Sequence, residues 1–170
     1  HILMSNDKLK IYVTSKDDSS KRISLSPIEE LSKDTAKIKS KITIEPKNQR
    51  QEILGFGGSF TEASSSIYKE LDEEKKEEII ESYFGENGNK YSMARTHINS
   101  CDFSLGNYAH VEDENDLELK TFSLERNKIS LIPMINDALK KRKNKIKIMA
   151  SPWSPPAWMK TTGEMNFGGK

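Results

Sequence analysis

The sequence predicts an α/β fold in which helices cover a parallel sheet. Two observations carry that reading. From Gln51 onward, strand, helix, strand, helix and strand candidates follow one another, a βαβαβ order. The segments after the strand candidates, GFGGSFTEA, NSCDFSLGNY and SPWSPPAWM, are all rich in unusual residues. In parallel α/β folds such loops gather at one end of the sheet, where ligands bind.

Residues 1–50 stand apart from this pattern. They hold only one aromatic, Tyr12, and abound in Lys, Ser and Asp. Leu9–Thr14 and Ile42–Glu45 are β-prone, enough for edge strands but too little for a core. This stretch is expected to be a strand-bearing arm that packs on something else, with residues 51–170 forming the main domain. His1–Leu3 read as residues added ahead of a native start at Met4.

Within the main domain, EILGFGGSF predicts a short apolar strand running into a glycine turn. Thr61–Phe84 then predicts two helical pieces, broken near Leu71–Asp72. Asp72, Glu73 and Glu74 put negative charge where the second helix dipole favours it. Ile79, Ile80, Tyr83 and Phe84 form its apolar face, and Gly85 suits its stop. YSMARTHINS follows as a second strand. If extended, it sets Met93, Arg95, His97 and Asn99 on one face, and Ala94, Thr96 and Ile98 on the other. A long loop runs from Cys101 to about Phe122. Leu131–Lys141 predicts a helix, with Leu131, Ile135 and Leu139 at i, i+4 and i+8. Ile146–Ala150 is the last strand, and it leads into ASPWSPPAWMK.

Composition narrows the functions available. The 170 residues carry a net charge of +1, which gives no general field for nucleic acid or an anionic membrane. No apolar run is long enough for stable membrane insertion. One cysteine, Cys101, rules out an intrachain disulfide. Together these favour a soluble, cytoplasmic protein, whereas a cleaved signal would instead mean secretion.

Several residues could carry chemistry. Gly55, Gly57 and Gly58 lack the third glycine of a dinucleotide fingerprint, because Phe60 stands there, and no P-loop lysine follows. Close backbone packing explains them better. Arg95, in mid-strand, needs a carboxylate or strong acceptor if buried. That carboxylate is either a catalytic one whose pKa it lowers or a structural one that it neutralises. Asp102 could accept two charge-assisted hydrogen bonds from adjacent sugar hydroxyls, or could serve an Asx turn or a helix cap. Its place after a strand favours the first. Trp153 and Trp158 offer flat apolar area, held by Pro152, Pro155 and Pro156, as a rigid wall for the C–H face of a pyranose. Trp158 reads more readily as a structural plug. His97, Cys101 and His110 fit no standard zinc spacing, so neither metal nor other cofactor is expected. A cysteine nucleophile at Cys101 lacks a nearby base.

GFGGSFTEA, RTHINSCDFSLGNY and ASPWSPPAWMKTTGEM, in this order and spacing, resemble glycoside hydrolase family 30 in its glucosylceramidase-like branch. The resemblance runs from roughly Ile42 to Lys170. It implies a (β/α)8 TIM barrel, of which this chain supplies the first three βα units. It further implies a side β-sandwich, built partly from the N-terminal β arm. The activity implied is retaining hydrolysis of a β-glucoside or glycolipid by two glutamates. Under the resemblance, Asp102 is the sugar-hydroxyl acceptor, Trp153 the wall of the glycone pocket and Arg95 the arginine beside the nucleophile. Glu62 and Glu164 match neither catalytic position, so the catalytic pair is expected beyond Lys170, in the remainder of the barrel. A non-catalytic carbohydrate-binding module and a half-barrel completed by a second chain are the alternatives.

Overall fold

The computed structural model describes residues 10–26 and 42–170. The chain divides into two compact units, His1–Gln51 and Glu52–Lys170. In the first, β1 (Ile11–Val13) pairs antiparallel with β2 (Ser24–Ser26), with Tyr12 opposite Leu25. The β1 strand falls inside the expected Leu9–Thr14 piece, of which Leu9 lies outside the described residues. Residues 42–45 form no strand among the described residues, which corrects the expectation there. The partner strand is instead SLS, too short and polar to stand out by pattern.

The second unit contains a parallel sheet in the order β3 (Gly57–Ser59), β4 (Met93–Ile98), β5 (Lys147–Pro152). The first strand is not the apolar EILGF, where Ile53, Leu54 and Phe56 stay exposed. The glycine segment itself is the strand. A Cβ on Gly57 would sit 1.6 Å from the Met93 carbonyl oxygen, so only glycine lets β3 approach β4 this closely. Close backbone packing is what Gly57 serves, whereas a Cβ on Gly58 would meet only the Tyr91 ring at 3.9 Å.

After β3, Thr61 caps α1 (Glu62–Glu70) through a reciprocal pair with Ser64. Asp72 then caps α2 (Glu73–Phe84) by accepting the Lys75 N–H at 2.8 Å. The predicted break at Leu71–Asp72 is therefore a pair of helix ends. Gly85 is the C-cap of α2, in extended rather than left-handed backbone. The long loop after β4 leads to a one-turn helix, α3 (Glu125–Lys128), which the sequence pattern did not predict. Next comes α4 (Leu131–Lys141), at the predicted bounds. A short 3-10 turn, Ala157–Met159, follows β5.

Alternation along the strands sorts the two faces of the sheet. Phe60, Ala94 and Ile146 join Tyr68, Ile80, Phe84, Leu131 and Ala138 in one core beneath the helices. Burying each large apolar side chain there contributes about 1.5–3 kcal/mol. Phe60 stacks on Phe84 at 5.6 Å, and Ser65 meets Ser130 at 2.9 Å where α1 reaches α4. On the opposite face the register aligns Ser59, Arg95 and Met149, then His97 and Ser151. On that face Ser59 and Met149 are exposed, Met149 by 58%, whereas His97 is buried. The face leads upward to the loops that follow the strands.

Candidate functional site

Arg95 points from the open face of β4, and the next same-face position beyond Ser151 of β5 is Trp153. The Arg95 guanidinium lies over the Trp153 indole, 5.2 Å from the ring centroid. Phe103 meets the same indole edge-on at 6.4 Å. A pocket of about 250 Å³ opens among Ser59, Thr61, Arg95, His97, Phe103 and Trp153. Trp153 keeps 42% of its surface exposed. Among the described residues no carboxylate lies within ion-pair reach of Arg95. The indole, not a structural acid, is its neighbour.

Asp102 sits on the exposed turn after β4. A second hollow, of about 570 Å³, is lined by Asp102, Trp153, Ser154 and Asn166 among others. The turn is closed by Ser104, whose N–H donates to the Cys101 carbonyl and whose hydroxyl accepts the Cys101 N–H. Among the described residues the Asp102 carboxylate takes no part in it. An Asx-turn role finds no support, and both oxygens remain available. Arg95, Trp153 and Asp102 thus belong to one rim, with the indole shared by both hollows.

Trp158 differs from Trp153. Its indole N–H donates to the Val111 carbonyl at 3.0 Å, and its side chain is half-buried. It pins the segment after β5 to the long loop. His97 is 5% exposed, and its Nδ1 lies 2.6 Å from the Asn99 carbonyl, so Nδ1 carries the proton and donates. Its Nε2 is buried without a partner among the described residues. His110 contacts the Ser123 carbonyl, and Cys101 faces Ser104. Among the described residues no group of three or more His, Cys, Asp or Glu is placed to hold a metal. Glu164 is exposed.

Glu62 carries a role the sequence did not reveal. It is 7% exposed at the start of α1, and it accepts two bonds from Arg126, at 2.7 and 3.2 Å. It also accepts the Leu105 N–H at 2.7 Å. Burial pushes the Glu62 carboxyl upward. The Arg126 bonds, the Leu105 N–H and the nearby Arg126 charge outweigh it, and hold the group below its ordinary value. The Ala63 N–H donates to Phe103 on the same loop. Arg126 also covers the Tyr108 ring at 4.3 Å. The Asp102 turn is therefore tied to the N-terminus of α1 and to α3. Only Glu62 beside the glycine motif hinted at this, because its partner lies far along the chain.

Comparison with known proteins gives the family of the chain. The description "Glycosyl hydrolase family 30 TIM-barrel domain" matches residues 53–170. A Caenorhabditis elegans homologue is 40% identical over 98% of this chain and 32% of its own length. Lysosomal acid glucosylceramidase of Mus musculus is 37% identical over 75% of this chain and 25% of its own. The crystal structure of SrfJ from Salmonella typhimurium superposes with a TM-score of 0.67 at 48% identity, covering 71% of this chain and 27% of that one. The chain spans about a third or less of the length of these relatives.

Proposed function

The chain belongs to glycosyl hydrolase family 30, and on that footing we propose that it forms the N-terminal segment of a retaining β-glycosidase acting on glucosylceramide-like or related β-glucosides. One observation carries the site assignment: an exposed carboxylate, Asp102, and a half-exposed indole, Trp153, line the same hollow above the strand ends. A carboxylate that accepts two adjacent hydroxyls fixes a pyranose in its plane. An indole against the C–H face of the ring excludes water and sets its orientation. Arg95, beneath that indole, supplies positive charge close to where an attacking carboxylate must stay ionised.

Retention needs two carboxyl groups about 5–5.5 Å apart, one protonating the leaving oxygen and one attacking the anomeric carbon. Glu62 is engaged by Arg126, and Glu164 is exposed. The catalytic pair is accordingly assigned to positions outside residues 1–170. On this reading β3, β4 and β5 are the first strands of the eight-stranded barrel, and the β1–β2 hairpin belongs to a side β-sandwich. Among the described residues, β3 and β5 each pair on one side only. Further strands, from the same polypeptide or from another, close the barrel.

The test is a polypeptide extended through the whole barrel, assayed on an aryl β-glucoside while NMR follows the anomer released. Release of β-glucose as the first product is expected. An α-anomer, or saccharide binding without turnover, would overturn the retaining-glycosidase reading, and binding alone would favour a carbohydrate-binding module.

A further inference from the structure

We infer that Asn99 is the positioning residue that sets the Trp153 loop against the Asp102 turn, an assignment whose functional meaning rests on the proposed glycoside site. Asn99 ends β4 with φ 60°, a left-handed conformation that asparagine tolerates better than most residues. It is 8% exposed. Its Oδ1 accepts the His110 N–H at 3.0 Å, and its Nδ2 donates to the Ser154 carbonyl at 3.2 Å. Its own carbonyl accepts the His97 Nδ1–H at 2.6 Å. One side chain thereby joins the end of β4, the far limb of the long loop and the residue next to Trp153.

Chemistry explains the choice of residue. Both side-chain partners are main-chain groups of fixed polarity, a donor at His110 and an acceptor at Ser154. A primary amide satisfies both from two separate atoms, in one orientation. Aspartate keeps the acceptor for His110 but turns an oxygen towards the Ser154 carbonyl. Glycine keeps the backbone conformation and loses both bonds. Ser154 is held again on its other side, where its hydroxyl donates to the Met165 carbonyl at 2.9 Å. Asn99 thus adds a side-chain link from the residue after Trp153 to the end of β4.

The two tryptophans make the test specific. The full-length protein is labelled with 5-fluorotryptophan, and the Trp153 and Trp158 resonances are assigned with Trp153→Phe and Trp158→Phe. Asn99→Asp, which keeps the acceptor for His110, is expected to shift or broaden the Trp153 resonance and leave that of Trp158 in place, and Asn99→Gly to disturb Trp153 more than Trp158. On an aryl β-glucoside, KM should rise about tenfold with kcat changed less, as expected when a binding wall loses its placement. Equal disturbance of both resonances would reduce Asn99 to a general stability role, and no disturbance of either would overturn the inference. Absence of β-glucoside turnover by the unsubstituted protein would remove the glycosidase reading alone, and the fluorine spectra would then decide the role of Asn99 by themselves.

Discussion

Asp102 and Glu62 show how differently two carboxylates of one chain are used. Asp102 is exposed and uncommitted, so its replacement should tax binding and spare the fold. In a complete barrel, Asp102→Ala is expected to lower kcat/KM on an aryl β-glucoside roughly 10- to 150-fold, from about 1.5–3 kcal/mol of lost charge-assisted bonding. A change under twofold would take Asp102 out of the site. Glu62 is the reverse case. Breaking a buried pair from one side costs about 3–5 kcal/mol, trimmed to about 2–3 kcal/mol because Arg126 is partly exposed. Glu62→Gln should therefore lower the melting temperature. Its folded pKa is depressed, so its contribution is fully present above the ordinary glutamate value and drains away as pH falls through the folded one. Melting temperature plotted against pH should lose part of its acid-side slope in the variant; an unchanged slope would separate Glu62 from acid stability. Asp102 could be nominated from the sequence because a rim position suffices to suggest it. The ion pair of Glu62 with Arg126, the stacking of Arg95 on Trp153 and the bridge made by Asn99 could not, since each joins residues that only the tertiary fold brings together.

Helices were easier to read than strands, for a physical reason. The division between α1 and α2 is written locally in Asp72, a capping residue followed by acidic first-turn positions, and α4 shows its apolar spacing openly. The strand β3 is GGS, which hydrophobic pattern places one step too early, because close approach to Met93 matters there more than apolar content. The helix α3 spans four residues, shorter than any periodicity can register. The same close approach yields a test: Gly57→Ala should break the β3–β4 pairing. Hydrogen exchange at the Phe60 amide, which donates to the Arg95 carbonyl at 2.8 Å, should then quicken markedly. Unaltered protection would mean the strands can part by the needed distance. Between the helices, Ala138 is fully buried, and Ala138→Leu should cost about 1–3 kcal/mol by overpacking, read as a lower denaturation midpoint.

At the scale of the molecule, Trp153 and Trp158 divide the work of one loop. Trp153→Ala should weaken saccharide binding with little change in melting temperature, whereas Trp158→Ala should lower the melting temperature through loss of its bond to Val111. Equal losses of stability in both would contradict the division. Residues 1–170 by themselves are expected to turn over no glycoside, because a single rim carboxylate cannot both donate a proton and attack. Turnover abolished by Glu62→Gln or Glu164→Gln would move the catalytic pair into this segment.

The order of the strands in the sheet is also their order in the chain. Such a sheet can grow vectorially as the polypeptide leaves the ribosome. β3 is already made when β4 emerges, and β4 presents its free edge when β5 follows, so each new strand of these three meets its neighbour already made. Each addition closes only the segment between two consecutive strands, and closure entropy grows slowly with its length. Nascent chains stalled at increasing lengths should therefore gain protease resistance in steps, one after β4 and a second after β5, instead of in a single late transition.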